Sequence, residues 1–353
     1  MRLLIRATNW VGDAVMSIPA LRLIRRAWPA AEITLLAHPW VGELYGREQL
    51  GTSVLAYDSN SRHSGIRGRL RLAGELKKRR FDCAILLQNA FDAALLVWLA
   101  GIPRRIGYAR DGRGFLLTDA IRPPRRGEIP AHQKYYYLEL LRRAGLVESL
   151  PECGEIRLEA DAAHGRSLFS HFGLRNGRVI GVSPGAAFGS AKCWLPERFA
   201  AAAAVLALEW DAEVAVFGSA SEKPLCQAMA ACIPAPPNGP RVHNLAGRTS
   251  LGQFMDLAAA CMAFLTNDSG AMHIASAVGT PTVAVFGATD PEATGPSAPL
   301  ARVVRSPVEC SPCLLRECPI DHRCMLRVDA KTVADQAGNL VLVSRRGHAV
   351  ENH

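Results

Sequence analysis

The chain has 353 residues, 49% hydrophobic and 21% charged, a balance that excludes a disordered chain and, at this length, points to two domains. Its formal charge of +9 is lopsided: residues 1–170 hold 26 Lys and Arg against 17 Asp and Glu, while residues 171–353 hold 15 against 15. The first half therefore faces an anionic partner (an acidic membrane or a phosphorylated glycolipid), because no zinc-finger spacing or RNP-like aromatic run favours nucleic acid.

Short aliphatic runs predict strands at 2–7, 32–37, 53–57 and 82–87, with helices between them at 14–27, 66–78 and 91–100. A further amphipathic helix is expected at 132–144, then a polar helical stretch at 157–173 and a turn at 174–177. The alternation restarts with strands at 179–182, 213–217, 263–266 and 282–286, and helices at 197–208, 223–232, 251–260 and 272–278. Residues 233–241 are Pro-rich loop, and 330–343 is a last helix. Alternating βα units predict an α/β protein of two doubly wound, Rossmann-like domains. The expected division is 1–170 and 171–330, with a helix and tail at 331–353 and ligands in the cleft between the domains.

The first six residues lack the apolar core and cleavage site of a signal peptide. The longest apolar runs, near 93–101 and 199–208, fall short of the roughly 20 residues that span a bilayer. Cytoplasm is the expected compartment. Cys83, Cys153, Cys193, Cys226, Cys232 and Cys261 are scattered among aliphatic stretches, as small hydrophobes of a reducing compartment would be. Cys310, Cys313, Cys318 and Cys324 are clustered, with His322 beside the last. Four thiols this close are a zinc or iron–sulfur candidate. Their spacing is tighter than a paired CxxC ribbon, so the reading is reduced thiols or a local disulfide, with no metal ligand assigned.

Several strand ends carry chemistry. Thr8-Asn9-Trp10-Val11-Gly12-Asp13 follows the first strand and sets a carboxylate at the carboxyl edge of a parallel sheet, as a catalytic base or a helix cap. The loop from Ser183 through Pro184, Gly185, Ala186, Ala187, Phe188, Gly189, Ser190 and Ala191 to Lys192 offers backbone N–H groups and one cation to a phosphate, without Walker spacing. Thr266-Asn267-Asp268-Ser269-Gly270-Ala271-Met272-His273 opens a helix whose N-terminus suits a diphosphate. Glu222, after Phe217-Gly218-Ser219, stands where an acid can accept ribose hydroxyls, and Asn244-Leu245-Ala246-Gly247 is a further small-residue strand end.

Together and in order, Asn9–Asp13, Pro184–Ala186 with Lys192, Phe217–Ser219, Asn244–Gly247 and Asn267–Gly270 with His273 resemble the lipopolysaccharide core heptosyltransferases of glycosyltransferase family 9. The match runs over roughly residues 1–330, and the Pro184–Lys192 loop and late cysteines look more like heptosyltransferase II than I. The resemblance implies a GT-B fold and inverting, metal-independent transfer of L-glycero-D-manno-heptose from ADP-heptose to the first heptose of Kdo-lipid A. It implies Asp13 as general base and Lys192 as the cation on the leaving diphosphate. Ser183, Gly185, Glu222, Asp268, Ser269, Gly270 and His273 would line the donor, with Glu222 on the ribose. No cofactor is implied beyond the donor substrate. The expected partners are ADP-heptose, a lipid A-core acceptor and the anionic inner face of the inner membrane, with no nucleic acid. Heptosyltransferase I, a later core enzyme and a GT-B nucleotide-sugar epimerase remain alternatives, and oligomeric state stays open.

Overall fold

The computed structural model describes residues 1–48, 50, 53–174 and 177–351; the turn expected at 174–177 rests on residues 175 and 176, which lie outside them. The chain divides into two compact units, Met1–Gly154 and Glu155–His353. The first holds strands β1 (Arg2–Arg6), β2 (Glu32–Ala37), β3 (Ser53–Ala56), β4 (Cys83–Leu86), β5 (Arg104–Tyr108) and β6 (Asp119–Ile121). Its helices are α1 (Val11–Ala27), α2 (Pro39–Arg47), α3 (Gly65–Arg79), α4 (Phe91–Leu99) and α5 (Gln133–Arg143).

The second unit begins with α6 (Ala162–His171), β7 (Val179–Ser183), α7 (Pro196–Glu209), β8 (Glu213–Val216), α8 (Lys223–Ala231) and β9 (Val242–Asn244). It continues with α9 (Leu251–Ala260), β10 (Ala263–Asn267), α10 (Gly270–Ala277), β11 (Thr282–Phe286), α11 (Pro291–Thr294) and β12 (Ala301–Arg305). Two last helices, α12 (Arg323–Leu326) and α13 (Ala330–Glu351), close it.

Each unit is built on one six-stranded sheet, ordered β3-β2-β1-β4-β5-β6 in the first and β9-β8-β7-β10-β11-β12 in the second. Every strand pairing is parallel. The two windings are the same, and each is the doubly wound Rossmann order. Central strands with helices on both faces must be apolar throughout. Accordingly β7, β10 and β11 are buried at every position, and β1 at all but its first. Strand order reverses between β1 and β4 in one sheet and between β7 and β10 in the other, and ligands collect just beyond the carboxyl ends of strands at such points.

The division falls earlier than the expected residue 170. Ile156 and Leu158 donate backbone hydrogen bonds to Ser297 and Ala277, and α6 packs on α9. Asp161 caps α6 while its own N–H and His164 engage the buried Asp256. Residues 157–161 are thus extended chain anchored to the second unit, and the helix expected from 157 starts only at Ala162. The C-terminal helix is part of that unit as well: α13 packs on α7, β10, β11 and β12, with Val333, Ala337 and Leu340 in the core. No helix among the described residues is long and apolar enough to cross a membrane.

Candidate active site

In the first unit, β1 delivers the chain to the switch point and α1 leaves it. Trp10 is the N-cap residue of α1 and makes no side-chain cap, so Asp13 lies in the first turn rather than at the cap. A carboxylate there is favoured by the helix dipole. Tyr137 of α5 donates from its hydroxyl to Asp13 Oδ1 at 3.0 Å. Burial and the nearby Asp13 charge push the Tyr137 phenol well above its ordinary value, so it stays protonated and donates.

The carboxyl edge of the same sheet carries groups the sequence did not single out. Arg6, at the end of β1, donates to the carbonyls of Ala7 and Leu36 and to Asn9 Oδ1. It is 2% exposed, and burial lowers its pKa to about 10, which leaves it cationic. Its guanidinium lies 5.2 Å from the centre of the Tyr57 ring, and Tyr57 donates to Asp92 at 2.8 Å, which Arg69 also grips. The fully buried Arg113 donates to the carbonyls of Tyr108, Gln88 and Ala90 and to the Asn89 side chain, holding the loop after β4 against the end of β5.

In the second unit the loops after β7 and β10 interlock. Asn267, wholly buried at the end of β10, donates to the carbonyl of Pro184 at 2.7 Å and accepts from the Trp194 N–H at 2.8 Å. This pins the start and the exit of the Ser183–Lys192 segment. Lys192 Nζ then reaches Asp268 Oδ2 at 2.6 Å, and the same oxygen accepts from Thr289 and Thr294. Lys192 also lies 5.0 Å above the Phe188 ring. Ser269 caps α10, accepting from the N–H of Met272, and Gly270 is the first helical residue. His273 is 4% exposed, inside α10.

Glu222 follows β8 and belongs to a capping box, its Oε2 accepting from the Ser219 N–H and hydroxyl at 2.7 Å each. Its Oε1 lies against Gly185, where a Cβ would approach it to 2.0 Å, so a side chain at this position would push the carboxylate out of its place against the loop. Gly189 meets a similar limit: a Cβ there would be 2.2 Å from the carbonyl of Arg316. Ser183, Gly185, Lys192, Glu222, Asp268, Ser269, Gly270 and His273 are thus gathered at the carboxyl edge of the second sheet, and Asp13 occupies the matching edge of the first.

The clustered cysteines form a brace beneath this edge. Cys310, Cys313, Cys318 and Cys324 line one small cavity with Gly287, Ala288, Ala191 and His322. Ala191 N–H donates to Arg316 O, and Ser311 donates to Gly287 O at 2.6 Å, tying the segment to the loops after β7 and β11. All ten cysteines are free thiols, and burial together with the neighbouring thiols pushes Cys324 up. Among the described residues no three His, Cys, Asp or Glu side chains are placed to hold a metal ion.

Two Rossmann units, a held carboxylate at one switch point, and a small-residue loop, lysine and helix N-terminus at the other define the class as a GT-B glycosyltransferase. The family model of glycosyltransferase family 9 (heptosyltransferase) matches residues 69–323. Lipopolysaccharide heptosyltransferase 2 of Escherichia coli K12 is 32% identical over 310 residues, covering 86% of this chain and 88% of the relative. The solved structure of E. coli ADP-heptose lps heptosyltransferase II superposes with a TM-score of 0.81 at 29% identity, over 98% of this chain and 100% of that one. A family 9 glycosyl transferase from Veillonella parvula shares the fold, with a TM-score of 0.80 at 22% identity over 97% of each chain. The chain belongs to glycosyltransferase family 9, the heptosyltransferases.

Proposed function

We propose that the protein transfers L-glycero-D-manno-heptose from ADP-heptose to the first heptose of the Kdo-lipid A inner core, with inversion and without a metal. The observation that carries this reading is the likeness to heptosyltransferase 2 enzymes over most of the chain, with the candidate site residues at the carboxyl edges of both sheets. In the proposed reaction the Asp13 carboxylate takes the proton of the acceptor hydroxyl, whose oxygen bonds to the anomeric carbon. The bond from that carbon to the ADP oxygen breaks on the opposite face. Lys192 and the N–H groups at the start of α10 meet the charge on the departing diphosphate, the task a metal ion performs elsewhere. Ser183, Gly185, Asp268 and His273 shape the donor pocket, and Glu222 accepts the ribose hydroxyls.

The acceptor is lipid-anchored, so the enzyme works at the cytoplasmic face of the inner membrane. Supporting this is the outer face of α3, where Arg67, Arg71, Lys77 and Lys78 are exposed beside Ile66 and Leu70, 77% and 53% exposed. Cations flanking apolar side chains are the composition that holds a protein to anionic lipid.

The test follows ADP release from ADP-heptose with heptosyl-Kdo2-lipid A and a chelator present, for wild type and Asp13→Ala. The expected result is turnover by wild type, and loss of several orders of magnitude in Asp13→Ala with ADP affinity retained. Turnover that the chelator abolishes, or that survives in Asp13→Ala, contradicts the mechanism.

A further inference from the structure

At the carboxyl edge of its sheet the first unit carries a stack of rings that the reaction scheme does not use. The Trp40 indole lies parallel to the His38 imidazole, centroids 4.3 Å apart and planes within 5°. His38 stacks in turn on Tyr57 at 5.0 Å and 21°, and the Arg6 guanidinium sits 5.2 Å from the Tyr57 centroid. The inner members are buried: His38 is 5% exposed, Tyr57 4% and Arg6 2%. The outermost ring, Trp40, is 45% exposed.

This arrangement is poorly explained as core packing. His38 Nδ1 and Arg6 Nε are buried with no hydrogen-bond partner among the described residues, a desolvation penalty that aliphatic side chains would avoid. The stack is also fixed at both ends. Tyr57 is anchored through Asp92, and Trp40 Nε1 donates to the carbonyl of Asn9 at 2.9 Å. Asn9 begins the loop that leads into α1 and Asp13, so the indole is tied directly to the backbone carrying the proposed base. With its N–H already engaged and one face against His38, Trp40 presents the rest of its indole surface to solvent at the ligand edge of the sheet. A rigid indole surface of this kind fits a pyranose, whose axial C–H groups form an apolar face while its hydroxyls point outward.

We propose that Trp40 is the stacking platform for a sugar ring of the acceptor, holding the ring so that its hydroxyl reaches Asp13. The inference rests on the acceptor reading given above and adds the residue that grips the saccharide. A purine would also stack on an indole, so the donor's adenine is the rival ligand.

The test uses the full chain as wild type, Trp40→Ala, Trp40→Phe and Trp98→Ala, the last an exposed indole at the far end of α4. The ligands are ADP and the deacylated heptosyl-Kdo oligosaccharide, which removes the lipid from the question. Calorimetry gives both affinities, and transfer kinetics give kcat and KM. Trp40→Ala is expected to weaken oligosaccharide binding and raise its KM about 10-fold, roughly 1.4 kcal/mol, with ADP affinity unchanged. Trp40→Phe restores most of the loss, and Trp98→Ala matches wild type. Unchanged oligosaccharide affinity in Trp40→Ala, or an equal loss of ADP affinity, overturns the platform. Wild type that binds the oligosaccharide through Trp40 but transfers nothing to it overturns the proposed reaction and leaves the platform standing.

Discussion

Lys192 is assigned to the leaving diphosphate, yet in this structure its ammonium is paired with Asp268. Lys192→Met separates its two roles. The pair is sequestered, with side-chain exposures of 13% for Lys192 and 4% for Asp268. Removing one partner of a buried pair costs about 3–5 kcal/mol because the other charge is stranded. Here Thr289 and Thr294 still donate to Asp268, which brings the loss below that range, to about 2–3 kcal/mol. Adding Asp268→Asn removes the stranded charge, so the double variant is expected within about 1 kcal/mol of wild type. Urea unfolding at neutral pH measures both, and ADP titration of the same proteins measures the chemical role. The account requires the double variant to recover stability without recovering activity. A stability loss below about 0.5 kcal/mol in Lys192→Met, or a double variant no more stable than the single, refutes the reasoning.

Tyr137→Phe removes the donor to Asp13 Oδ1, and steady-state kinetics with ADP titration should show kcat about 10-fold lower and ADP affinity unchanged. Burial lowers the His38 pKa to about 4, so the unfolded chain binds the extra proton between about 6.5 and 4. Its contribution is present above 6.5 and is lost as pH falls through that window, on the order of 3 kcal/mol; urea unfolding against pH should show a shallower acid slope in His38→Phe. Replacing Arg67, Arg71 and Lys77 with Glu should lower partitioning onto anionic vesicles on the order of 100-fold or more, since each cation near such a surface contributes about 1 kcal/mol. Co-sedimentation with anionic and neutral vesicles reads this directly, and equal binding to both sinks the membrane reading.

The residues proposed for the donor were legible as a group because the sequence shows which apolar strand each of them ends or follows. In a parallel sheet that placement alone brings Ser183, Glu222 and Asp268 to one edge. Strands that carry arginine were harder to read. In β5, Arg104 and Arg105 occupy the first two positions and look like a basic cluster; Asp119 and the carbonyls of Leu116 and Ile102 take up their guanidiniums. The strand β12 likewise carries Arg302 and Arg305 and is only partly buried. The ring stack was not legible, because His38, Trp40, Tyr57 and Arg6 come from three strand ends that converge only when the sheet forms. Tyr137 stood hidden in a run of three tyrosines, and only the packing of α1 on α5 selects it for Asp13.

The most direct test of the central claim is the mass of the acceptor glycan after incubation with ADP-heptose and chelator. The account predicts a gain of one heptose unit on heptosyl-Kdo2-lipid A, and no gain on an acceptor lacking that heptose. ADP formed without any gain in acceptor mass, or equal gain on the acceptor lacking heptose, would contradict it.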